Sequence, residues 1–308
     1  MGRVEHVVAV VGPTGVGKSD LAIELALRLG DEVISTDAYQ LYRDMDIGTA
    51  KTPVDDRRGV PHHLVDVLDL AEAASVAQFQ TAARRAVDDC RDRGVVPVVV
   101  GGSSLYVRAV LDDLDFPGTD PEVRARWARR LEQIGSPALH RELAERDPAA
   151  AAQILPSNAR RIVRALEVVE LTGQPFRAHM PPYASVVGPV AIVGLTADRD
   201  VLDVRLAARV EAMWSAGLVD EVRALAARGL AESPTASRAL GYAEVLDLLA
   251  GRIDEQEARA RTVLGTQRFA RRQERLFGKD PRVTWLPHDA PDLVDRALAA
   301  ASSPHPPA

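Results

Sequence analysis

A single cysteine, Cys90, stands in 308 residues. One thiol closes no internal disulfide and offers no metal-cluster spacing, so its expected place is the buried face of a helix. No apolar stretch approaches the ~20 residues that a membrane-spanning helix requires. The chain runs almost at once into an apolar segment with no leader pattern before it, and a cytoplasmic protein is expected. Lysine is confined to Lys18, Lys51 and Lys279. Arginine carries the remaining positive charge, so its abundance means little and only its clustering is informative. The net charge of −6 sets the overall field mildly against a polyanionic partner. Hydrophobic residues at 46% and charged residues at 27% are ordinary for a globular protein, and the length suits one main domain with an insertion.

One motif is dense with information. Residues 12–19 read Gly-Pro-Thr-Gly-Val-Gly-Lys-Ser, after the apolar run Val7–Val11 and before the helix-patterned segment Leu21–Ala26. This is a strand, a glycine-rich turn and a helix carrying G-x-x-x-x-G-K-[ST]. Glycine lets the backbone wrap so closely that successive N–H groups face an anion. The helix N-terminus adds partial positive charge, Lys18 a full one, and the Ser19 hydroxyl suits Mg²⁺. The loop binds a di- or triphosphate, without saying which.

The first third alternates strand and helix: Val7–Val11, a helix over about 18–29, Glu32–Asp37, a short extended run Leu64–Leu68, a helix over about 76–93, and Val95–Val100 closed by Gly101-Gly102. Near-continuous β-branched runs between amphipathic helices indicate a doubly wound parallel α/β sheet of the P-loop kind. Ligands in such sheets sit beyond the carboxyl ends of the strands, which singles out residues 12–19, 37–40 and 101–106. Past Leu114 the character becomes arginine-rich and helical, and a returning core strand is expected at 190–195. The expected organisation is a core over 1–113 and 187–301, an α-helical insertion over 114–186, and a disordered tail over 302–308.

Asp37 closes the second strand beside the loop, where a carboxylate serves as general base, as a Mg²⁺ ligand through water, or merely as a turn residue. His62 and His63 are adjacent, so on a strand they point to opposite faces; structural hydrogen bonding is expected of them rather than metal ligation. Gly101-Gly102-Ser103 permits close backbone approach and offers a hydroxyl, although Ser103 also suits a helix N-cap. Arg160 and Arg164 share one helix face. Arg268, Arg271, Arg272 and Arg275 recur at three- and four-residue spacing, a stripe that is either a solvated face or a track for a nucleic-acid backbone. The residues alone leave three readings open: a small-molecule kinase using a nucleoside triphosphate, an enzyme that holds a substrate's own diphosphate while gripping nucleic acid, and a nucleotide switch. No guanine-reading N-K-x-D-like motif supports the last.

Taken jointly, GPTGVGKS (12–19), STDAYQLYRDMDIGTAK (35–51), PHHLVD (61–66), GGSSLYV (101–107), RRIVRALEVVELTG (160–173), RALGYAEV (238–245) and TQRFARRQERLF (266–277) resemble the bacterial tRNA dimethylallyltransferases, over almost the whole chain. The resemblance implies transfer of a dimethylallyl group from dimethylallyl diphosphate to N6 of the adenosine 3′ of the anticodon. It places the diphosphate on Gly12, Pro13, Thr14, Gly15, Val16, Gly17, Lys18 and Ser19, with Mg²⁺ on Ser19 and Arg209 steadying the leaving group. Asp37 matches the family's general base, and Ser103 stands where a threonine is usual near the reacting centre. Asp37, Ala38, Tyr39, Gln40, Ser103, Arg124, Arg160, Arg161, Ile162, Val163, Arg164, Arg238, Ala239, Leu240, Gly241, Tyr242 and Ala243 correspond to tRNA-contacting parts, joined by Arg271 and Arg275 of the stripe. The target base is expected to flip into a channel between core and insertion. Ala38 replaces a common serine, and Ser19 a threonine. The expected partners are tRNA and dimethylallyl diphosphate, with no membrane and no obligate protein partner, the chain acting as a monomer.

Overall fold

The structure is a computed structural model that describes residues 5–177 and 180–306. It divides into two compact units, Met1–Asp113 with Tyr183–Ala308, and Leu114–Pro182.

The first unit is built on β1 (Val7–Val11), α1 (Lys18–Leu29), β2 (Glu32–Ser35), β3 (His62–His63), α2 (Val76–Asp92), β4 (Pro97–Gly101) and α3 (Ser104–Leu111). Its six strands, with two contributed later in the chain, pair in the order β3-β2-β4-β1-β5-β6, and every ladder is parallel. Strand β1 lies at the centre, with all five side chains fully buried. Val7, Ala9 and Val11 pack with α2 and α3 on one face, and Val8 and Val10 pack with α1 on the other. A strand buried on both faces needs apolar residues at every position, not alternate ones. Burial of each valine contributes about 1.5–3 kcal/mol.

The second unit holds α4 (Pro121–Ile134), α5 (Ser136–Arg146), α6 (Pro148–Gln153) and α7 (Ala159–Thr172), with no strand among its described residues. Asp120, Asp147 and Asn158 accept first-turn backbone N–H groups and so start α4, α6 and α7. Trp127, Leu139, Leu143, Ile162 and Leu166 form its core. Glu167 is fully buried and accepts from Arg124, Arg164, Thr119 and the N–H of Asp120. The first unit then resumes with β5 (Val190–Thr196), α8 (Arg199–Ser215), α9 (Leu218–Ala226), α10 (Tyr242–Leu249), α11 (Glu255–Phe277), β6 (Val283–Pro287) and α12 (Leu293–Ala301).

Three expectations are corrected. The second unit ends at Pro182 rather than 186, because Asp112 bridges Ser185 and the Val186 N–H donates to Leu111 O at 2.8 Å. The run Leu64–Leu68 is not a strand: Leu64 and Asp66 adopt φ of 60° and 59°, which breaks pairing after His63. The tail is not disordered as far as it is described. His305 exchanges two backbone hydrogen bonds with Val190, at 2.8 and 3.0 Å, adding an antiparallel bridge at the start of β5. The last part of the expected tail, 307–308, lies outside the described residues.

Candidate active site

The loop between β1 and α1 is set by its glycines. Gly12 has φ 140°, and a β-carbon there would come within 2.6 Å of Leu195 O on the neighbouring strand. Gly17 is the α1 N-cap at φ 98° and brings no side chain to cap the helix. Among the described residues, no protein acceptor meets the backbone N–H groups of Gly15, Val16, Gly17, Lys18 or Ser19. Five free donors at a helix N-terminus make a site for an anion.

Gly15, Gly17, Lys18 and Ser19 of this loop border a cavity of about 780 Å³ within the first unit, lined also by Asp20, Ser35, Asp37, Gln40, residues 49–53, Gly101, Gly102, Arg205, Arg209 and Gln273. Lys18, at the start of α1, and Asp37, just past β2, meet here with Arg209 from α8. Burial, and then the Arg209 charge, push the Lys18 ammonium down to about 7 against the opposing pull of Asp37. Its Nζ donates to Pro13 O at 2.6 Å. Burial raises Asp37, while the N–H groups of Tyr39 and Gln40 and the charges of Lys18 and Arg209 restrain the rise. A carboxylate with a raised pKa is a stronger base. Burial lowers Arg209, with Asp37 and Asp20 opposing. The cluster is therefore two basic groups and one carboxylate, half-buried at the cavity and short of negative charge.

The oxygen donors fit a hard divalent cation. Ser19 and Asp20 lie side by side at the cavity, and among the described residues the Ser19 hydroxyl has no protein partner. A second group, Glu32, His63 and Cys90, places one donor atom each within 4.8 Å. Arg93 already binds Glu32, with Nη2 donating to Oε2 at 2.7 Å, and burial and the Glu32 charge push the Cys90 thiol up to about 12. With a neutralised carboxylate and a protonated thiol, this is a closed hydrogen-bonded set. His63 Nε2 lies 2.6 Å from Glu32 Oε2, and His62 Nδ1 lies 2.9 Å from Val60 O.

A family model described as IPP transferase matches residues 40–280. The chain belongs to the IPP transferase family. It is 60% identical to the tRNA dimethylallyltransferase of Thermobifida fusca over 298 residues, 95% of this chain and 93% of that one. It is also 60% identical to the tRNA dimethylallyltransferase of Kineococcus radiotolerans over 294 residues, 94% of this chain and 92% of the other. Among solved structures it resembles the tRNA isopentenylpyrophosphate transferase of Bacillus halodurans, at TM-score 0.70 and 39% identity, covering 97% of this chain and 95% of that one.

Within this IPP transferase the remaining candidates scatter. Ser103 occupies the α3 N-cap without a side-chain capping bond, and the cavity wall stops short of it at Gly102. Ala38 and Tyr39 lie outside the wall, whereas Gln40 is part of it. Arg160, Arg161 and Arg238 are exposed. Arg124 and Arg164 are tied to Glu167 at 2.8 and 2.9 Å. The side chains of Ile162, Val163, Ala239 and Tyr242 are buried and pack beneath the exposed positions of their segments. Gly241 is likewise buried, and Leu240 and Ala243 are half-buried. Tyr242 donates its hydroxyl to Glu221 Oε1 at 2.5 Å. Glu221 in turn accepts the N–H groups of Asp46 and Ile47 at 3.2 and 2.7 Å, pinning the segment that leads to the cavity wall.

The arginines of the α11 stripe differ in their partners. Arg271 is ion-paired to Asp203 at 2.8 Å, while Arg268, Arg272 and Arg275 are exposed with no acidic partner among the described residues. Sequence reasoning missed Gln273, which points the other way. It is 5% exposed, and its Oε1 accepts the Thr14 N–H at 2.8 Å. Its signal was available, since Ala270, Gln273 and Phe277 make an i, i+3, i+7 buried face in which one member is polar. Glu221 was also missed, and nothing in its local sequence distinguishes it from a solvated helix residue.

Proposed function

We propose that this IPP transferase moves a dimethylallyl group from dimethylallyl diphosphate to N6 of the adenosine 3′ of the anticodon in tRNA, releasing diphosphate. The observation that carries the reading is the meeting of Lys18 and Arg209 with one carboxylate, Asp37, at a cavity bordered by free loop N–H groups. A diphosphate and a weakly acidic amine are what that arrangement complements.

An exocyclic adenine amine is a poor nucleophile because its lone pair is delocalised into the ring. The allylic carbon compensates, since its C–O bond breaks with positive charge spread over the allyl group. The N6–C bond forms, the electron pair of the C–O bond departs with the diphosphate, and an N6 proton passes to the Asp37 carboxylate. Charge developing on the leaving group is met by loop N–H groups, Lys18 and Arg209, and this stabilisation supplies most of the rate enhancement. Mg²⁺ bound through Ser19, with Asp20 beside it, would neutralise further leaving-group charge. The exposed arginines Arg160, Arg238, Arg268, Arg272 and Arg275 supply phosphate contacts that position the RNA.

The test mixes protein, Mg²⁺, dimethylallyl diphosphate and an unmodified anticodon stem-loop, followed by mass spectrometry of the RNA. A gain of one C₅H₈ unit, independent of ATP, is expected. No gain, with ATP consumed or phosphate passed to a small molecule, overturns the reading in favour of a kinase.

A further inference from the structure

We propose that Glu221, on α9, is a positioning residue for the transfer step: it fixes the segment 46–48, which through Thr49 and Gln40 fixes the loop that carries Asp37. The proposal rests on the reading of Asp37 as the base that takes the N6 proton. Glu221 stands outside the cavity wall, and its carboxylate acts through other groups. Its Oε2 accepts the N–H groups of Ile47 and Asp46 at 2.7 and 3.2 Å. Its Oε1 accepts the Gly48 N–H at 3.4 Å and the Tyr242 hydroxyl at 2.5 Å. Successive backbone N–H groups that converge on one anion hold the backbone in a single shape, and here the anion belongs to the protein. Gly48 completes the fit. A β-carbon there would lie 2.4 Å from Cε2 of the Tyr242 ring, so glycine is what lets the segment lie against it.

The chain leaving 46–48 becomes the cavity wall at residues 49–53. Thr49 O accepts from Gln40 Nε2 at 3.3 Å, and Gln40 Oε1 accepts the Ser35 hydroxyl at 3.0 Å. Ser35 Oγ in turn accepts the Asp37 N–H at 3.3 Å. The Gln40 N–H faces the Asp37 carboxylate, beside the Tyr39 N–H that donates to Oδ1 at 2.9 Å. Gln40 is thus held by its side chain while its backbone donor is directed at the base. The wall is fastened separately at Lys51, whose buried ammonium binds Asp46 and Asp66 and donates to Tyr42 O at 2.9 Å. Without the Glu221 carboxylate the N–H groups of 46–48 turn to water, Thr49 O shifts, and Gln40 loses the bond that orients it. The phosphate loop and Arg209 belong to other elements and keep their places. Diphosphate binding therefore survives while the base loses its aim.

Two variants disturb the segment by different means. Glu221→Gln keeps the shape but turns an amide N–H₂ toward backbone donors, and Gly48→Ala drives a methyl into the Tyr242 ring. Each full-length variant is assayed with Mg²⁺ for single-turnover transfer at saturating dimethylallyl diphosphate and unmodified anticodon stem-loop. Equilibrium titrations of the stem-loop and of inorganic diphosphate accompany the rates. The rate is expected to fall about ten- to a hundredfold in both variants, the scale of a reacting group displaced by about an ångström. Both dissociation constants are expected to stay near the wild-type values. In an Asp37→Ala background, Glu221→Gln is expected to add little further loss, because the two residues act through one group. A wild-type rate in Glu221→Gln overturns the proposal. So does a full additional loss in the Asp37→Ala background, or a loss of rate matched by weaker binding of both ligands and a lower melting temperature. Wild-type protein that transfers nothing overturns the reading of Asp37 as base and this proposal with it.

Discussion

Lys18 is an unusual P-loop lysine, because burial and Arg209 bring its pKa down to about 7 before any anion arrives. A bound diphosphate supplies several negative charges at short range and restores the ordinary preference for the charged form. Binding must therefore take up a proton wherever the free protein has lost it. At pH 8, one unit above the free value, about one-tenth of Lys18 is charged, so diphosphate binding takes up about 0.9 proton per site. The apparent affinity should fall close to tenfold per pH unit above that point. An allyl diphosphate is already fully ionised at pH 8 and adds little uptake of its own. Calorimetric titration in two buffers of different ionisation enthalpy reads the proton count directly, and Lys18→Arg, which stays charged, should abolish it. Absence of uptake at pH 8 would refute the claim that the site is starved of negative charge. The same shift has a stability consequence of definite sign. Between about pH 7 and the ordinary lysine value the unfolded chain holds more protons at Lys18 than the folded one, so this residue makes folding more favourable as pH rises through that window.

Asp37→Ala is expected to lower kcat by about 10²–10⁴ while leaving RNA affinity within a few-fold, the signature of a general base; single-turnover transfer at wild-type rate would remove that role. Arg275→Ala is expected to flatten the slope of log K against log salt for RNA binding by ~1. Arg271→Ala should do less, since Asp203 already holds that guanidinium at 2.8 Å; equal slopes in the two variants would mean that the ion pair opens on binding. Glu167→Ala leaves the partly exposed Arg124 and Arg164 without their buried acceptor and should destabilise the helical unit by about 1–3 kcal/mol. Thermal melts of the full chain check this, and an unchanged melting curve contradicts it.

Much of the site was readable because its parts are local. The loop 12–19 carries its own geometry, with Gly12 and Gly17 at positive φ and a helix starting at Lys18. Asp37 was singled out because a strand end beside such a loop is a known place for chemistry, and it lines the cavity. Ser103 came from the same argument and missed the cavity wall, since a strand end fixes where the backbone goes but not which side chain turns inward. The arginine stripe on α11 was visible, yet whether each member was free depended on Asp203, 68 residues from Arg271. Tyr242 and Ile162 show the converse: their strings identify the family, while their side chains lie in the core.

What the sequence by itself determined is what short-range physics determines. Continuous β-branched runs dictated a parallel sheet with both faces covered, the glycine pattern dictated an anion loop, and the change of composition after Leu114 marked a second unit. Tertiary structure alone decided which charges meet. Burial and the closeness of Lys18, Asp37 and Arg209 set the pKa of each, and they arise from α1, the end of β2 and α8, whose meeting no local pattern specifies. Gln273 reaches Thr14 across 259 residues of chain. Hydrogen bonds and Coulomb interactions act over a few ångströms of space, so contacts between distant segments exist only once the fold has brought them together.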